Sequence, residues 1–213
     1  MKIISISDSH GQHQKIKIPE GDLLIHAGDI IEYGTGEEIY DFLRWFAKQP
    51  CTYKVFIAGN HDLFFNQSNA KKYKNFTDLK AQNIYYLQNS GIELNGFKIW
   101  GSPITPYFLG MAFNKQRGAD IKTTWNKIPI DTDILITHTP PFGILDDGFG
   151  CEELLTKVIK IKPKLHVFGH IHNAYGIYRE NKQKFINASL TNMPDPISGP
   201  AHQIVNVPVI EWV

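Results

Sequence analysis

Five short apolar runs in this chain stop at residues of the kinds that bind metals. IISISDSH ends in Asp8 and His10, LLIHAGD in Asp29, VFIAGNHD in Asn60, His61 and Asp62, ILITHTP in His138, and HVFGHIH in His170 and His172. Runs of this length and composition read as buried strands. In an open α/β sheet, ligands bind outside the carboxyl ends of the strands. Carboxylate, imidazole and amide groups at the ends of five separate strands therefore point to one cleft built to hold metal.

Length and charge narrow the alternatives. A chain of 213 residues falls within the range of one α/β domain with a substantial core, so residues 1–213 are expected to form a single domain. The balance of 22 basic against 21 acidic residues leaves no footprint for a large nucleic acid or an anionic membrane. No apolar stretch approaches the roughly 20 residues that a membrane span needs. Met1 leads straight into a short strand without an export signal, and Cys51 and Cys151 fit neither a disulfide framework nor a zinc knuckle. A cytoplasmic protein is expected; its oligomeric state is left open.

Strand and helix patterns alternate along the chain. Strands are expected at 2–8, 22–29 and 53–58. An amphipathic helix over 37–48 carries Ile39, Phe42, Leu43, Phe46 and Ala47 at helical spacing and is stopped by Pro50. A polar helical stretch follows near 67–82, then short strands at 84–87, 92–94 and 97–100, the last two turned by Asn95-Gly96. A helix over 115–127, a strand over 134–137, a helix over 152–162 and a strand over 165–168 come next. A hairpin over 175–188 around Glu180-Asn181 and a final strand pair, or one strand bulged near Pro208, over 203–212 complete the chain. The simplest architecture is an α/β fold of two mixed sheets packed face to face and flanked by helices.

Residues two apart on an extended segment share a face, so Asp8 with His10, and His170 with His172, can each aim into one cleft. Adjacent residues diverge, so Asn60 and His61 should divide their duties, one coordinating and the other facing substrate. Asp29 stands alone after its strand, and a lone carboxylate between two ligand groups suits a bridge between two cations.

With DSH at 8–10, GD at 28–29, GNHD at 59–62, TH at 137–138 and GHIH at 169–172 in this order, the chain resembles the calcineurin-like metallophosphoesterase superfamily. A closer likeness is to the metallophosphoesterase-domain-containing proteins related to class III cyclic-nucleotide phosphodiesterases. It is carried by LLIHAGD, YKVFIAGNHD, GFKIWGSPITP, FNKQRG, DILITHTPP, KLHVFGHIH and FINAS. The resemblance implies a four-layer α/β/β/α sandwich. It also implies that Asp8, His10, Asp29 and His172 hold one metal while Asp29, Asn60, His138 and His170 hold the other. Some animal members of the closer group lack the last histidine of GHxH; here His172 is present.

Two divalent cations bring more charge than Asp8 and Asp29 cancel, so a phosphate oxygen would restore the balance. The mixed donor set suits Mn²⁺, with Fe²⁺ or Zn²⁺ next, over Mg²⁺ or Ca²⁺. The implied reaction is in-line attack on phosphorus by a metal-activated hydroxide, without a covalent intermediate. His61 would give a proton to the leaving oxygen, with Asp62 behind its other ring nitrogen. Phe108, in the TPYFLG loop, is either core packing or a surface for a nucleobase, and Arg117 either a helix-surface charge or a phosphate clamp. His26 and His166 read as hydrogen-bonded core histidines, and His13 and His202 as surface or loop residues, His202 within reach of the cleft.

The expected function is that of a dinuclear metal-dependent phosphodiesterase for small phosphate esters, with 2′,3′-cyclic nucleotides favoured by the resemblance. A phosphomonoesterase, a nucleotide pyrophosphate hydrolase and a catalytically silent metal-binding scaffold are the alternatives. Protein phosphatases of the superfamily carry an arginine after GD and a GNHE motif, whereas Ile30-Ile31-Glu32 follows Asp29 here and Asp62 replaces the glutamate.

Overall fold

A computed structural model of the chain describes residues 1–32, 36–66, 77–192 and 202–213. The chain opens with β1 (Lys2–Ile6), β2 (Gly21–Ala27), α1 (Gly36–Ala47) and β3 (Cys51–Ile57), followed by α2 (Leu63–Asn66), α3 (Thr77–Ala81) and β4 (Ile84–Tyr86). Strands β5 (Ser90–Leu94) and β6 (Phe97–Ser102), the two-residue strands β7 (Thr105–Pro106) and β8 (Asn114–Lys115), and α4 (Ala119–Trp125) come next. The remainder is β9 (Ile134–Thr137), α5 (Glu152–Ile161), β10 (Leu165–Phe168), β11 (Gly176–Glu180), β12 (Gln183–Asn187) and β13 (Val209–Trp212).

Among the described residues two large sheets result, ordered β13-β1-β2-β3-β4 and β11-β12-β10-β9-β6-β5, besides the short pair β7-β8. Neighbours from β1 to β4, and β6, β9, β10 and β12, run parallel, while β13, β11 and β5 add antiparallel edges. Because strand side chains alternate, one set of apolar residues lies between the sheets, with Ile3, Ile25 and Val55 facing Ile134, Val167 and Ile186. The alternate set packs under helices: Ile4, Leu24 and Phe56 against Phe42 and Phe46 of α1, and Leu135 and Phe168 against Leu154 and Val158 of α5. This is the two-sheet sandwich flanked by helices expected from the alternation of patterns. The parallel strands point their carboxyl ends the same way in each sheet, which gathers the loops after β1, β2, β3, β9 and β10.

Several boundaries differ from expectation. The helix expected over 115–127 is confined to Ala119–Trp125, because Gly118 adopts a φ of +82° and Asn114–Lys115 pair with β7 instead. Residues 67–76 of the expected polar helix lie outside the described residues, and 77–81 are helical. In α1, Trp45 is buried while Leu43 and Ala47 are only partly so. Cys51 and Cys151 are free and buried, and no helix among the described residues is long and apolar enough to cross a membrane.

Candidate metal centre

The ligand-type residues do not lie on the strands. β1 stops at Ile6 and β10 at Phe168, and beyond them the backbone turns sharply: Asp8, His10, Asp29 and His170 all have positive φ, between 41° and 68°. Such conformations cost on the order of 1 to 3 kcal/mol each and persist only where the surroundings over-determine them. Here the loops hold one another. The amide of Asp8 donates to Gly28 O and that of His10 to Asp29 O. The amide of His61 donates to Asp29 Oδ1, and that of His170 to the Asp8 carboxylate at 3.0 Å. The same-face argument for His170 with His172 is thereby corrected. The turned backbone sends His170 against His138, with ring centroids 5.0 Å apart, and His172 against His10.

Two glycines permit this convergence. A Cβ on Gly59 would lie 2.3 Å from Asp29 Oδ1, and one on Gly169 would lie 2.1 Å from both Asp8 Oδ2 and Ser7 Oγ. The glycines of GNHD and GHIH are therefore requirements of close approach, since no side chain fits between these loops.

The donor atoms converge on two adjoining positions. Those of Asp8, His10 and Asp29 lie within 4.8 Å of one another, and so do those of Asp29, His138 and His170, which makes Asp29 common to both groups. Its Oδ2 is 3.2 Å from His138 Nε2 and 4.0 Å from His10 Nε2. His172 Nε2 stands 3.4 Å from His10 Nε2 and 3.5 Å from Asp8 Oδ1, and Asn60 Oδ1 is 3.0 Å from His138 Nε2. Donors bonded at about 2.0–2.2 Å in tetrahedral or octahedral shells are separated by roughly 3 to 3.5 Å, so most of these spacings suit a shared cation.

The hydrogen-bond pattern behind the histidines agrees. His138 Nδ1 is 2.9 Å from the Ala27 carbonyl and His172 Nδ1 is 3.0 Å from that of Asn192, so each Nδ1–H donates outward and Nε2 faces the cluster, where a cation would take the place of its proton. Metal-binding imidazoles take this tautomer.

The electrostatics mark a buried, charge-coupled cluster. Burial favours the protonated acid of Asp8, but His172 and His138 outweigh it and hold the carboxyl far below its ordinary value. Asp29 is likewise drawn well down, against burial, by His138, His61 and His10. Burial opposes a charge on His138, yet Asp29 and Asp8 lift its pKa to about 9. Burial and the neighbouring His138 push His170 down to about 4.

The remaining candidates separate. The half-buried imidazole of His61 packs edge-on against that of His10, centroids 4.8 Å apart, and makes no side-chain hydrogen bond among the described residues. Asp62 is not its partner, which corrects the expected pairing. The turn at Gly59–Asp62 carries the Asp62 carboxylate inward, where it accepts from the amides of Gly59 at 2.7 Å and of Ile30 and Ile31 at 3.1 Å. Burial and the nearby Asp29 raise its pKa to about 7. Phe108 is 59 % exposed and lines a cleft of about 300 Å³ together with Tyr107, Phe149, Arg117, His170 and His172. The Arg117 guanidinium donates to the carbonyls of Phe149 and Gly150, bracing the loop that forms one cleft wall.

His26 and His166 are buried core residues bonded to Ser9 and Thr137, as expected. His13, expected as a surface or loop residue, lies in the connection between β1 and β2 but is buried against Phe42 and Trp45, with Nε2 2.9 Å from Asp41. His202 does reach the cleft: its ring stacks on that of His10 at 3.7 Å and 5°. Glu32 was not foreseen. Its Oε2 lies 3.3 Å from His10 Nδ1 and 3.1 Å from His202 Nδ1. The contact with His10, despite partial burial, holds its carboxyl below the ordinary glutamate value. The only sequence signal was a carboxylate three positions after Asp29.

Comparison with known proteins agrees with this geometry. A model of the calcineurin-like phosphoesterase family matches residues 1–174. Human metallophosphoesterase domain-containing protein 1 is 38 % identical over 98 % of this chain and 70 % of its own length. The UPF0046 protein K07C11.7 of Caenorhabditis elegans is 35 % identical over 92 % of this chain and 72 % of its own. Among solved structures, TT1561 of Thermus thermophilus shares the fold, with a TM-score of 0.61 at 14 % identity over 87 % of this chain and 88 % of that one. A family pattern running through all five ligand loops, on the fold that gathers them, leaves one assignment: the chain belongs to the calcineurin-like phosphoesterase family and is a metal-dependent phosphoesterase.

Proposed function

We propose that this phosphoesterase is a phosphodiesterase acting on small diesters such as 2′,3′-cyclic nucleotides with two divalent cations, Mn²⁺ foremost. Asp8, His10, Asp29 and His172 hold one cation, and Asp29, Asn60, His138 and His170 the other, with Asp29 shared. The observation that carries the reading is the position of the Asp29 carboxylate, which belongs to both donor groups and has one oxygen facing His138 and His10. Bound cations would supply the charge that acidifies a water and stabilises negative charge on phosphate oxygens.

The chain's own groups do the rest. The amides of His61 and His170 fix the Asp29 and Asp8 carboxylates in place. His61, edge-on to His10 and free of side-chain hydrogen bonds among the described residues, is available to protonate a leaving oxygen. The aromatic wall of Tyr107, Phe108 and Phe149 beside His170 and His172 suits a planar group attached to the phosphate. Arg117, the one arginine or lysine among the residues lining that cleft, is engaged with two carbonyls, and Asp147 adds negative charge there. Such surroundings favour the single charge of a diester over the double charge of a monoester.

The test combines metal analysis with bis(4-nitrophenyl) phosphate, 4-nitrophenyl phosphate and a 2′,3′-cyclic nucleotide as substrates. Chelator-treated protein should be inactive and regain activity with Mn²⁺ better than with Mg²⁺ or Ca²⁺, with a higher kcat/KM for the aryl diester than for the monoester. Asp29→Ala should abolish activity and reduce the metal content. A fully active Asp29→Ala protein would defeat the dimetal reading, and preference for the monoester would defeat the phosphodiesterase reading.

A further inference from the structure

At the mouth of the metal centre three chain segments meet on the outer side of His10. Gln12 comes from the loop after β1, Glu32 from the loop after β2, and His202 from the return toward β13. The His202 ring covers the His10 ring nearly parallel at 3.7 Å. Its Nδ1 is 3.1 Å from Glu32 Oε2, the same oxygen that lies 3.3 Å from His10 Nδ1. The Gln12 side-chain amide donates to the His202 backbone carbonyl and ties this lid to the ligand loop. His202 is 8 % exposed, so the stack is a buried arrangement.

His138 and His172 each donate Nδ1–H to a backbone carbonyl, which presents Nε2 to the cluster. His10 presents Nε2 in the same sense, 3.4 Å from His172 Nε2, but no carbonyl takes its Nδ1. The buried Nδ1 has no well-directed hydrogen bond, and the Glu32 carboxylate oxygen that pairs with His202 lies 3.3 Å from it. A carboxylate behind a ligating imidazole fixes its tautomer and raises its basicity, and removing such a partner costs on the order of 10- to 100-fold in metal affinity. A backbone carbonyl brings no net charge. The two halves of the centre are thus backed unequally.

We propose that Glu32 and His202 are a positioning pair for His10, with the Glu32 carboxylate accepting from Nδ1 of both imidazoles, so that the Asp8–His10–His172 site binds its cation more tightly than the Asn60–His138–His170 site. The His202 ring covers His10, and its Nδ1 keeps the partly exposed carboxylate beside the ligand imidazole. The proposal rests on the dimetal reading above, and metal binding without turnover separates the two.

Mn²⁺ is titrated calorimetrically into metal-free wild type, Glu32→Gln, Glu32→Asp, His202→Phe and His10→Ala, with thermal melting of each metal-free protein alongside. Wild type should show two sites of unequal affinity. Glu32→Gln should weaken the tighter one about 10- to 100-fold and leave the other unchanged, and His10→Ala should eliminate the same tight event. Glu32→Asp, which keeps the charge at shorter reach, should fall between wild type and Glu32→Gln. His202→Phe keeps the stack but loses the Nδ1 contact and should weaken the same site by less. Unchanged affinities in Glu32→Gln would overturn the proposal, as would equal weakening of both sites alongside a lowered melting point of the metal-free protein. Unchanged affinities with a kcat loss that grows for poor leaving groups would also overturn it, placing Glu32 behind His61. Wild type that binds no Mn²⁺ would overturn the dimetal reading as well.

Discussion

His166 offers a quantitative test of how the interior of this fold treats charge. The Thr137 hydroxyl donates to Thr139 O at 2.7 Å, so its oxygen can only accept from His166 Nε2, 2.8 Å away. This fixes the neutral Nε2–H tautomer and leaves Nδ1 buried without a partner. Protonation would place a charge at that orphaned nitrogen, and burial alone pushes the pKa down from 6.5 to about 3. Between those values the unfolded chain binds a proton that the folded chain does not, so stability falls as pH falls, by about 1.4 kcal/mol per pH unit. From pH 7 to 4.5 the loss from this one residue integrates to about 2.5 kcal/mol, a figure insensitive to the folded pKa because pH 4.5 still lies above it.

The perturbation is His166→Gln, which keeps a donor near Nε2 but cannot titrate. At pH 7 it should be about 1 kcal/mol less stable than wild type through an imperfect hydrogen bond. At pH 4.5 it should be more stable by roughly 1.5 kcal/mol, the two curves crossing between pH 5 and 6. Urea unfolding of both proteins in chelator, at half-unit pH steps, reads the difference directly, since the carboxylates and the other histidines are common to both. A difference that stays constant from pH 7 to 4.5 would refute the assignment of His166 as a buried neutral base.

His61→Ala should retain both cations by metal analysis yet lose on the order of 10²- to 10⁴-fold in kcat, with a smaller loss for a nitrophenolate leaving group; loss of a cation would show that His61 and Asn60 have been assigned the wrong way round. Phe108→Ala should erase any preference in kcat/KM for a 2′,3′-cyclic nucleotide over an aryl diester, which stacking sets at about 1 to 3 kcal/mol, while leaving aryl diester hydrolysis nearly unchanged; an intact preference would return Phe108 to the role of an exposed loop residue.

Much of this protein is legible in one dimension because its signals are local. Apolar runs bounded by ligand-type residues show where β1, β2, β3, β9 and β10 end, since a fully buried parallel strand needs an unbroken apolar stretch and a ligand loop needs its polar residues immediately after it. The helices α1 and α5 follow from 3.6-residue spacing, and the turns at Asn95-Gly96 and Asn181 from residues that tolerate positive φ. What failed locally was geometry beyond a strand's end. The same-face argument for Asp8 with His10 and for His170 with His172 assumed extended backbone, whereas hydrogen bonds between loops hold Asp8, His10 and His170 in the left-handed region.

The sequence by itself determined the residue types of the centre and their order along the chain, because donor chemistry and strand-end position are properties of short segments. Only the tertiary structure decided the pairings. Asp62 faces three amides and not His61, because the turn after β3 sets its direction. His13 is buried because Phe42 and Trp45 of α1 close over it. Glu32 and His202 stand 170 positions apart and meet on one face of His10. Contacts of that separation arise from the packing of whole strands and loops, and no spacing within either segment carries them.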